Sequence, residues 1–488
     1  MQSPSHLALR NAGLLLIQRG GLLVAGLAFA AVVPRLMGPG LYGRYALLST
    51  LGVLFASAST LGFTEAIGRH GPTLQAQPDP GSLRRLFGTA MTLRLVSGVT
   101  VALAYLLLTV IWLGDLDRVA LGAAALAVLA RAIWQGLFGL FLGLNRADRW
   151  GAGELTTRWA LAVLVPAGMA LGGLRGACIG LWLGEMITVG LGLWWTRAHF
   201  SLRRPDWRYL APYLRVGLPF FASNLLSIAF QGSGEVLVRV ITADYAEVSY
   251  YGVANGTFLT AAAAVHTLSL AFVAAFVMLR EAEGVSPVDA AARRLVTFLS
   301  AGSMAVVFSV LFLAGDLVPR VVGQAYGAVA TNLVPMTLTL LLLSLSSTAG
   351  VVLLVHDRGP IVLIGSGIRL AAFWTLGPLL IAWGASLGAC LAVLVASALQ
   401  AAFVGWRIRR QIPRTLRAWG AAVALGAPFL ALLWLRGPWW VNLGLWLLAC
   451  AGYLGALVMT RVITRAEITA TWMALTAREA SRDRPGRA

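Results

Sequence analysis

Apolar segments long enough to cross a bilayer follow one another along almost the whole chain. A membrane-spanning helix needs about 20 mostly apolar residues, because the hydrocarbon core is about 30 Å thick and a helix rises about 1.5 Å per residue. In that medium every backbone amide must be hydrogen-bonded within its own segment, so helices are the expected form. We mark fourteen segments, at 11–36, 43–68, 86–113, 119–144, 152–173, 175–196, 213–238, 248–279, 293–315, 328–355, 360–383, 386–406, 417–435 and 439–460. The sequence therefore predicts an all-α polytopic membrane protein with about 14 transmembrane helices.

The composition supports this class and excludes several chemistries. Hydrophobic residues make up 59% of the chain and charged residues 12%, whereas a soluble domain has about 25% charged residues. All 38 basic residues are arginine, so a P-loop lysine and Schiff-base chemistry are excluded. The three cysteines (Cys178, Cys390 and Cys450) lie far apart in apolar segments, which predicts small buried side chains and no disulfide. We expect no cofactor and no bound metal.

The arginines are unevenly distributed between alternate loops. With a cytoplasmic N-terminus, the inner loops and tail contain most of them: 84, 85, 146, 149, 197, 203, 204, 208, 293, 294, 407, 409, 410, 414, 461, 465, 478, 482, 484 and 487. The opposite loops contain only 35, 44, 118, 175, 239, 320 and 436. The positive-inside rule then places both termini in the cytoplasm. The net charge of +19 indicates contact with anionic membrane lipids and no nucleic-acid partner.

A weak internal repeat relates residues 9–46 to residues 214–252, at an offset of about 205 residues. This offset contains six spans, an even number, so both halves enter the membrane in the same sense. The repeat predicts two parallel six-helix lobes around a central cavity, plus two C-terminal helices. The predicted divisions are an N-terminal lobe at 1–197, a cytoplasmic linker at 198–212, a C-terminal lobe at 213–410, two extra spans at 411–460 and a cytoplasmic tail at 461–488.

Two motifs in these repeats resemble a known transporter family. Residues 33–46 (VPRLMGPGLYGRYA) resemble the first hairpin of the polysaccharide (Wzx-like) flippases, and residues 215–219 (RVGLP) resemble the start of their second lobe. That family belongs to the multidrug/oligosaccharidyl-lipid/polysaccharide exporter superfamily. The resemblance implies a flippase that moves a polyprenyl-pyrophosphate-linked oligosaccharide across a bacterial cytoplasmic (inner) membrane during surface polysaccharide biosynthesis. It also implies partnership with a polysaccharide polymerase and glycosyltransferases.

Four arginines interrupt apolar segments: Arg19, Arg94, Arg131 and Arg369. A charge at the centre of a membrane helix costs about 2.5–3.5 kcal/mol on insertion scales, so such residues usually face a wet cavity or a partner. The guanidinium group remains charged and its donors match phosphate oxygens. The four arginines are therefore candidate ligands for a phosphate-bearing cargo. The alternative is structural pairing, for example with Glu185.

Neutral polar residues accompany these arginines. Gln135 shares a helix face with Arg131, and Asn224 and Gln231 share a face with Ser227 and Glu235. Sugars require many neutral donors and acceptors, so Gln135, Asn224 and Gln231 are candidate substrate contacts. The alternative is that they hydrogen-bond between helices and stabilise packing.

Three titratable residues are candidates for ion coupling: Glu185, His266 and Glu235. Glu185 lies in mid-span, and it is either a counter-ion to an arginine or a protonatable group. The pKa of a histidine makes proton transfer accessible to His266, although a hydrogen-bonded packing role is the alternative. The pairs Glu65–Arg69, Glu154–Arg158 and Glu235–Arg239 have the spacing of a helical ion pair.

Two other functions compete with the flippase. A MATE-like exporter of organic cations would need acids in its cavity, whereas the mid-membrane charges here are mainly positive. A membrane enzyme of glycan assembly would need catalytic groups on a sizeable outer loop, and the outer loops are short. We therefore expect a secondary transporter and not an enzyme.

Overall fold

A computed structural model describes residues 4–64, 66–67, 81–144, 146–197, 207–271, 276, 285–356, 359–410 and 412–463. Within these ranges the chain is helical and contains no strand. The α-helices are α1 (Pro4–Ala58), α2 (Gly81–Trp112), α3 (Arg118–Gly143), α4 (Ala147–Thr196), α5 (Trp207–Thr242), α6 (Tyr245–Ala271), α7 (Val285–Val321), α8 (Gly327–Val355), α9 (Gly359–Ile408), α10 (Pro413–Gly426) and α11 (Trp439–Met459). Two 3₁₀ helices, Gln324–Tyr326 and Ala427–Leu435, precede α8 and follow α10.

Ten of the described helical segments are long and apolar enough to cross a membrane. This confirms the predicted class, an all-α polytopic membrane protein. Three of the ten contain a backbone interruption and exceed the length that one crossing needs: Gly20–Ala58, Asp148–Thr196 and Pro360–Ile408. The interruptions lie at Gly38 in α1, at Gly172 and Gly173 in α4, and at Gly384 and Ala385 in α9.

The interruption in α4 is a turn that folds the helix back on itself. A β-carbon on Gly176 would collide with the carbonyl oxygen of Gly168, so only glycines permit this approach of the two backbones. Further from the turn, the hydroxyl groups of Thr157 and Thr188 form a hydrogen bond of 2.8 Å between the two arms. Helix α4 is therefore an antiparallel helical hairpin.

Helix α9 repeats this hairpin 212 residues later. Its turn at Gly384 and Ala385 has φ/ψ values of −136°/19° and 47°/−124°, close to those of Gly172 (−151°/24°) and Gly173 (59°/−139°). A β-carbon on Gly388 would collide with the carbonyl oxygen of Leu380, as in α4. The hairpin is thus present twice, although the two copies share little sequence.

Packing divides the chain into two units. The first consists of Met1–Thr260, Pro319–Asn332 and Arg369–Ala392, and the second of Ala261–Val318, Leu333–Ile368 and Val393–Ala488. The core of the first unit includes Phe87, Trp134 and Phe141, from α2 and α3. The two lobes predicted from the internal repeat do not correspond to these two packing units, and the lobe boundaries stay a prediction. The predicted linker and the C-terminal tail lie largely outside the described residues.

The second unit has its own aromatic core, in which Phe308, Phe429 and Tyr453 make edge-to-face contacts. The buried Asp289 of α7 accepts hydrogen bonds from the backbone amide and hydroxyl of Thr415, in the first turn of α10. A carboxylate at a helix N-terminus satisfies free amides and complements the helix dipole. This contact fixes the start of α10 against α7.

All three cysteines are free thiols, and Cys178 and Cys390 are fully buried while Cys450 is partly exposed. The predicted burial is confirmed for Cys178 and Cys390.

Candidate functional site

Arg94 has the lowest exposure, 1%, among the predicted arginines whose side chains the structure describes. Its Nε donates to the carbonyl oxygen of Ala132 at 2.8 Å, and its Nη2 donates to Oε1 of Gln135 at 2.8 Å. Both acceptors belong to α3, so the arginine of α2 joins the two helices. Gln135, predicted as a sugar ligand, uses its amide oxygen in this contact. The structure thus brings Arg94 and Gln135 together as a hydrogen-bonded packing pair, and their role in binding stays a prediction.

Arg131 of α3 faces Glu185 of α4, with 3.6 Å between Nη1 and Oε1. The side chain of Arg131 is 28% exposed and that of Glu185 is 2% exposed. Neither carboxylate oxygen of Glu185 receives a hydrogen bond from the described part of the chain. Arg158 and Glu154, both in the first arm of α4, also interact electrostatically with Glu185. The structural pairing considered for Arg131 is present, and its geometry is loose.

Arg369 of α9 has a different environment. Its guanidinium carbon lies 4.2 Å from the centre of the Phe230 ring, in α5. Among the described residues, no acceptor bonds to its buried Nε and no carboxylate forms an ion pair with it. Phe230 is held in place by Phe373, at 5.4 Å between ring centres. Arg369 is therefore a partly buried cation supported by an aromatic ring.

Glu235 of α5 is buried, with 3% exposure. Its Oε1 accepts a hydrogen bond of 3.1 Å from Nδ2 of Asn255, in α6, while its Oε2 is buried without a partner in the described residues. The same amide donates to the carbonyl oxygen of Gln231 at 3.2 Å. The predicted ion pair with Arg239 does not form, because Arg239 instead stacks on the ring of Tyr245 at 4.1 Å.

The remaining predicted residues are Asn224, Gln231, His266 and Arg19. The side chains of Asn224 and Gln231 are exposed on α5. His266 is exposed on α6, and its Nδ1 lies 3.1 Å from the hydroxyl oxygen of Ser347 in the same packing unit. Arg19 is part of α1, but its side chain is outside the described residues, as is Glu65 of the predicted pair Glu65–Arg69.

Sequence reasoning missed Arg158 and Asn255. Arg158 lies four residues after Glu154, and that spacing assigned it to a helical ion pair. In the structure its side chain is exposed and interacts electrostatically with Arg131 and Glu185 as well as with Glu154. The spacing along the chain could have predicted that Arg158 and Glu185 lie close together. Arg158 lies 14 residues before Gly172 and Glu185 lies 12 residues after Gly173, so a hairpin turn at these glycines brings the two side chains to a similar depth.

A second group of contacts joins the early and late parts of the first unit. Tyr245, at the start of α6, donates its hydroxyl proton to Asp115, at 3.1 Å from either carboxylate oxygen, and Arg44 lies 3.9 Å from the same carboxylate. The backbone of Tyr245 leaves no room for a β-carbon on Gly43. The hydroxyl of Tyr326 donates to the carbonyl oxygen of Pro34 at 2.9 Å. These residues lie at the helix ends that the sequence assigns to the outer side.

The geometry suits the binding of an anion better than covalent chemistry. Arginines from α3, α4 and α9 reach solvent-accessible or partly buried positions inside candidate spans. Their partners are a loosely held carboxylate and an aromatic ring, so hydrogen-bonding capacity remains for a ligand. Among the described residues, no group of three metal-binding side chains is present.

Comparison with known proteins gives the fold. No protein-family model and no curated protein sequence matches the chain. A structure of the lipid II flippase MurJ in an inward closed conformation superposes with a TM-score of 0.70 and 13% identity, covering 92% of this chain and 98% of that one. An inward-facing multidrug resistance MATE family transporter of the MOP superfamily superposes with a TM-score of 0.61 and 17% identity, covering 82% and 94%. The chain therefore has the transporter fold that these proteins share.

Proposed function

We propose that this protein is a flippase that moves a polyprenyl-pyrophosphate-linked oligosaccharide from the cytoplasmic to the outer leaflet by alternating access. The proposal takes the cargo class from the resemblance of residues 33–46 and 215–219 to polysaccharide flippases. The likeness of fold to MurJ is compatible with a cargo of this kind. The protein would act in surface polysaccharide assembly in a bacterial inner membrane, together with glycosyltransferases and a polymerase.

The observation that carries the proposal is the environment of Arg369. A cation supported by Phe230, with no carboxylate partner among the described residues, has an unsatisfied demand for negative charge. Arg369 lies about ten residues into α9, or about 15 Å along the helix, near the middle of a bilayer. Charges at this depth normally serve a pathway. A pyrophosphate group would satisfy this charge during passage.

The proposed topology has 14 crossings with both termini in the cytoplasm. Three of the ten candidate spans are divided by a turn and would each cross twice, and α6 (Tyr245–Ala271) would add one crossing. The turns at Gly38 and Ala243, 205 residues apart, both have positive φ values, of 69° and 55°. Together with the matching hairpins α4 and α9, this spacing supports two parallel six-helix lobes.

A second candidate is a MATE-like ion-coupled exporter. The observation in its favour is that Glu185 and Glu235 are buried and have carboxylate oxygens without hydrogen-bond partners in the described residues. Such acids can bind a proton or a cation, and they would serve a cationic cargo as well as ion coupling. The flippase remains our first proposal because Arg131 and Arg158 accompany Glu185.

The test is a flipping assay in liposomes that contain the purified protein and a lipid-linked oligosaccharide. We expect Arg369→Ala to lower the flipping rate at least about tenfold, because a charged hydrogen bond to the phosphate is lost. Arg407→Ala is the matched control, since Arg407 also lies on α9 and stacks on an aromatic ring, that of Trp406, at 4.9 Å. Its flipping rate should remain near that of the unmodified protein.

Equal rates in the two variants would remove the assigned role of Arg369. If the unmodified protein moved organic cations but not the lipid-linked glycan, the MATE-like function would replace the flippase.

A further inference from the structure

The carboxylate of Glu185 lies where an anionic ligand would be expected. Arg131 approaches it from α3, and Arg158 and Glu154 interact with it from the first arm of α4. Tyr45 of α1 interacts electrostatically with both Glu185 and Arg131 and is itself buried. Among the described residues, these are the charged and titratable groups that interact with Glu185. Together with Glu154, the carboxylate thus compensates two guanidinium groups inside a membrane span.

The contact between Glu185 and the arginines is incomplete. Strong pairs of arginine and carboxylate have N···O distances of about 2.7–2.9 Å and often two parallel hydrogen bonds. Here the distance to Arg131 is 3.6 Å, and neither oxygen of Glu185 receives a hydrogen bond from the described residues. The donors of the two guanidinium groups therefore form no hydrogen bond with Glu185.

The three side chains differ in solvent exposure, and a ligand would contact the most exposed one first. Arg158 is exposed, the side chain of Arg131 is 28% exposed, and that of Glu185 is 2% exposed. Arg158 lies about ten residues into its candidate span, or about 15 Å along the helix, where exposure of an arginine to lipid would be costly. A ligand in a wet cavity would reach the two arginines first and the carboxylate last.

We propose that Arg131 and Arg158 form a phosphate or pyrophosphate site that Glu185 occupies in the ligand-free protein, and that ligand binding displaces Glu185, which then takes up a proton. The incoming phosphate oxygens form hydrogen bonds with both guanidinium groups. The carboxylate of Glu185 binds one proton from the solvent, so the negative charge of the ligand replaces that of Glu185 beside the two arginines. Arg158 is thereby a ligand-binding residue. The inference deepens the proposed function and rests on it only for the identity of the cargo.

The test uses the full-length protein in detergent, with inorganic pyrophosphate as the ligand. Affinity is measured by calorimetry, and proton uptake is measured with a pH indicator in weak buffer near pH 7. We expect Arg158→Gln to weaken binding at least about tenfold, since it removes a charged donor. We expect Glu185→Gln to strengthen binding, because the carboxylate that competes with the ligand is gone. This variant should also take up about one proton fewer per ligand than the unmodified protein, because glutamine does not bind a proton in this pH range.

Arg175→Gln is the matched control, because Arg175 is also on α4 and also has an acid partner, Asp117. Its affinity should equal that of the unmodified protein. Arg158→Lys keeps the charge but not the planar fork, and it should give intermediate affinity. This second variant preserves the test if Arg158→Gln does not fold. Equal affinity in both Arg158 variants and the unmodified protein, or equal proton uptake with and without Glu185, would overturn the proposal.

A parallel titration with farnesyl pyrophosphate distinguishes a lipid headgroup from a free phosphate. Tighter binding of the prenyl ligand, with the same loss in Arg158→Gln, assigns the site to a lipid-linked anion. Equal binding of the two ligands assigns it to the phosphate group alone. If these titrations succeed while no lipid-linked glycan is flipped, the anion site stands and the proposed function fails.

Discussion

At the scale of single residues, the three predicted arginines whose side chains the structure describes have three different environments. Arg94 donates to a carbonyl group and a neutral amide, Arg131 faces an acid, and Arg369 stacks on a ring. The sequence could not distinguish them, because each simply interrupts an apolar segment. The difference depends on which residues the neighbouring helices present at the same depth, and a helix period does not specify that.

The burial of Arg94 predicts a structural effect. Arg94→Ala leaves a cavity between α2 and α3 and leaves the amide oxygen of Gln135 without its donor. We expect a loss of about 2–4 kcal/mol in the free energy of unfolding, and a lower Tm of the protein in detergent. Arg369→Ala should leave the Tm nearly unchanged while it slows flipping. An unchanged Tm for Arg94→Ala would contradict this structural role.

At the scale of helical elements, the two hairpins α4 and α9 differ at one informative position. Their turns have matching backbone angles, but the residue with positive φ is Gly173 in α4 and Ala385 in α9. Only glycine adopts such angles without steric cost, and other residues lose about 1–3 kcal/mol. The second hairpin therefore keeps a strained turn that the first one avoids.

This difference predicts opposite effects of exchanging the two residues. Gly173→Ala should lower the free energy of unfolding by about 1–2 kcal/mol, because it introduces the strained geometry. Ala385→Gly should raise the free energy of unfolding by up to about 1 kcal/mol, because it relieves the strain at this turn. The gain is limited because glycine also has more conformational freedom in the unfolded chain. Thermal unfolding of the two variants in one detergent checks both signs. Changes of the same sign would show that the turns are not equivalent.

A second element-scale prediction concerns Asp117, which caps the N-terminus of α3 by accepting from the amide of Ala120 and pairs with Arg175. Burial alone would raise the pKa of Asp117, but the hydrogen bond from Arg175 and those from backbone amides outweigh it, so the pKa lies below its ordinary value of 3.8. Because its pKa is lower in the folded state than in the unfolded state, the carboxylate stabilises the protein at pH values above 3.8. The stabilisation is lost as the pH falls through the lowered pKa.

We therefore expect Asp117→Asn to lower the Tm at pH 7, and the difference from the unmodified protein to shrink as the pH falls below about 4. Arg175→Gln should cause a similar loss, and combining the two substitutions should add little, since both remove one pair. A Tm difference that stays constant across this pH range would contradict the assignment.

The sequence predicted the helical class, because the apolar length of a segment is a local property. It did not predict that Glu154 and Arg158 belong to a cluster with Arg131 and Glu185. The i, i+4 rule describes an isolated helix in water, whereas here a hairpin turn at Gly172 and Gly173 places another arm beside the pair. For the same reason Glu235 bonds to Asn255 of the next helix and not to Arg239.

At the scale of the whole molecule, the first packing unit contains the contact on which alternating access would depend. Helix α1 meets α6 where Gly43 lies against the backbone of Tyr245 and where Ala46 faces Gly252. Residues 43–46 and 249–252 are equivalent in the internal repeat, so the contact joins like surfaces from the two halves of the chain. In our proposed topology it lies on the outer side of the membrane.

This contact can be fixed covalently. A β-carbon on Gly252 would lie 3.5 Å from that of Ala46, within the range of about 3.5–4.5 Å for disulfides. The double variant Ala46→Cys/Gly252→Cys should therefore form a disulfide under mild oxidation and lose flipping, and reductant should restore it. Each single variant serves as a control and should respond to neither reagent. Full transport by the oxidised double variant would mean that these helices do not separate during the cycle.

The buried thiols have a practical consequence for mapping this protein in cells. Cys178 and Cys390 have no contact with solvent, so a charged maleimide should leave both unmodified in the folded protein. The reagent would then report on cysteines introduced one at a time into loops, with Cys450 as the single native background to subtract. The sidedness of every loop could thus be read from the almost native molecule.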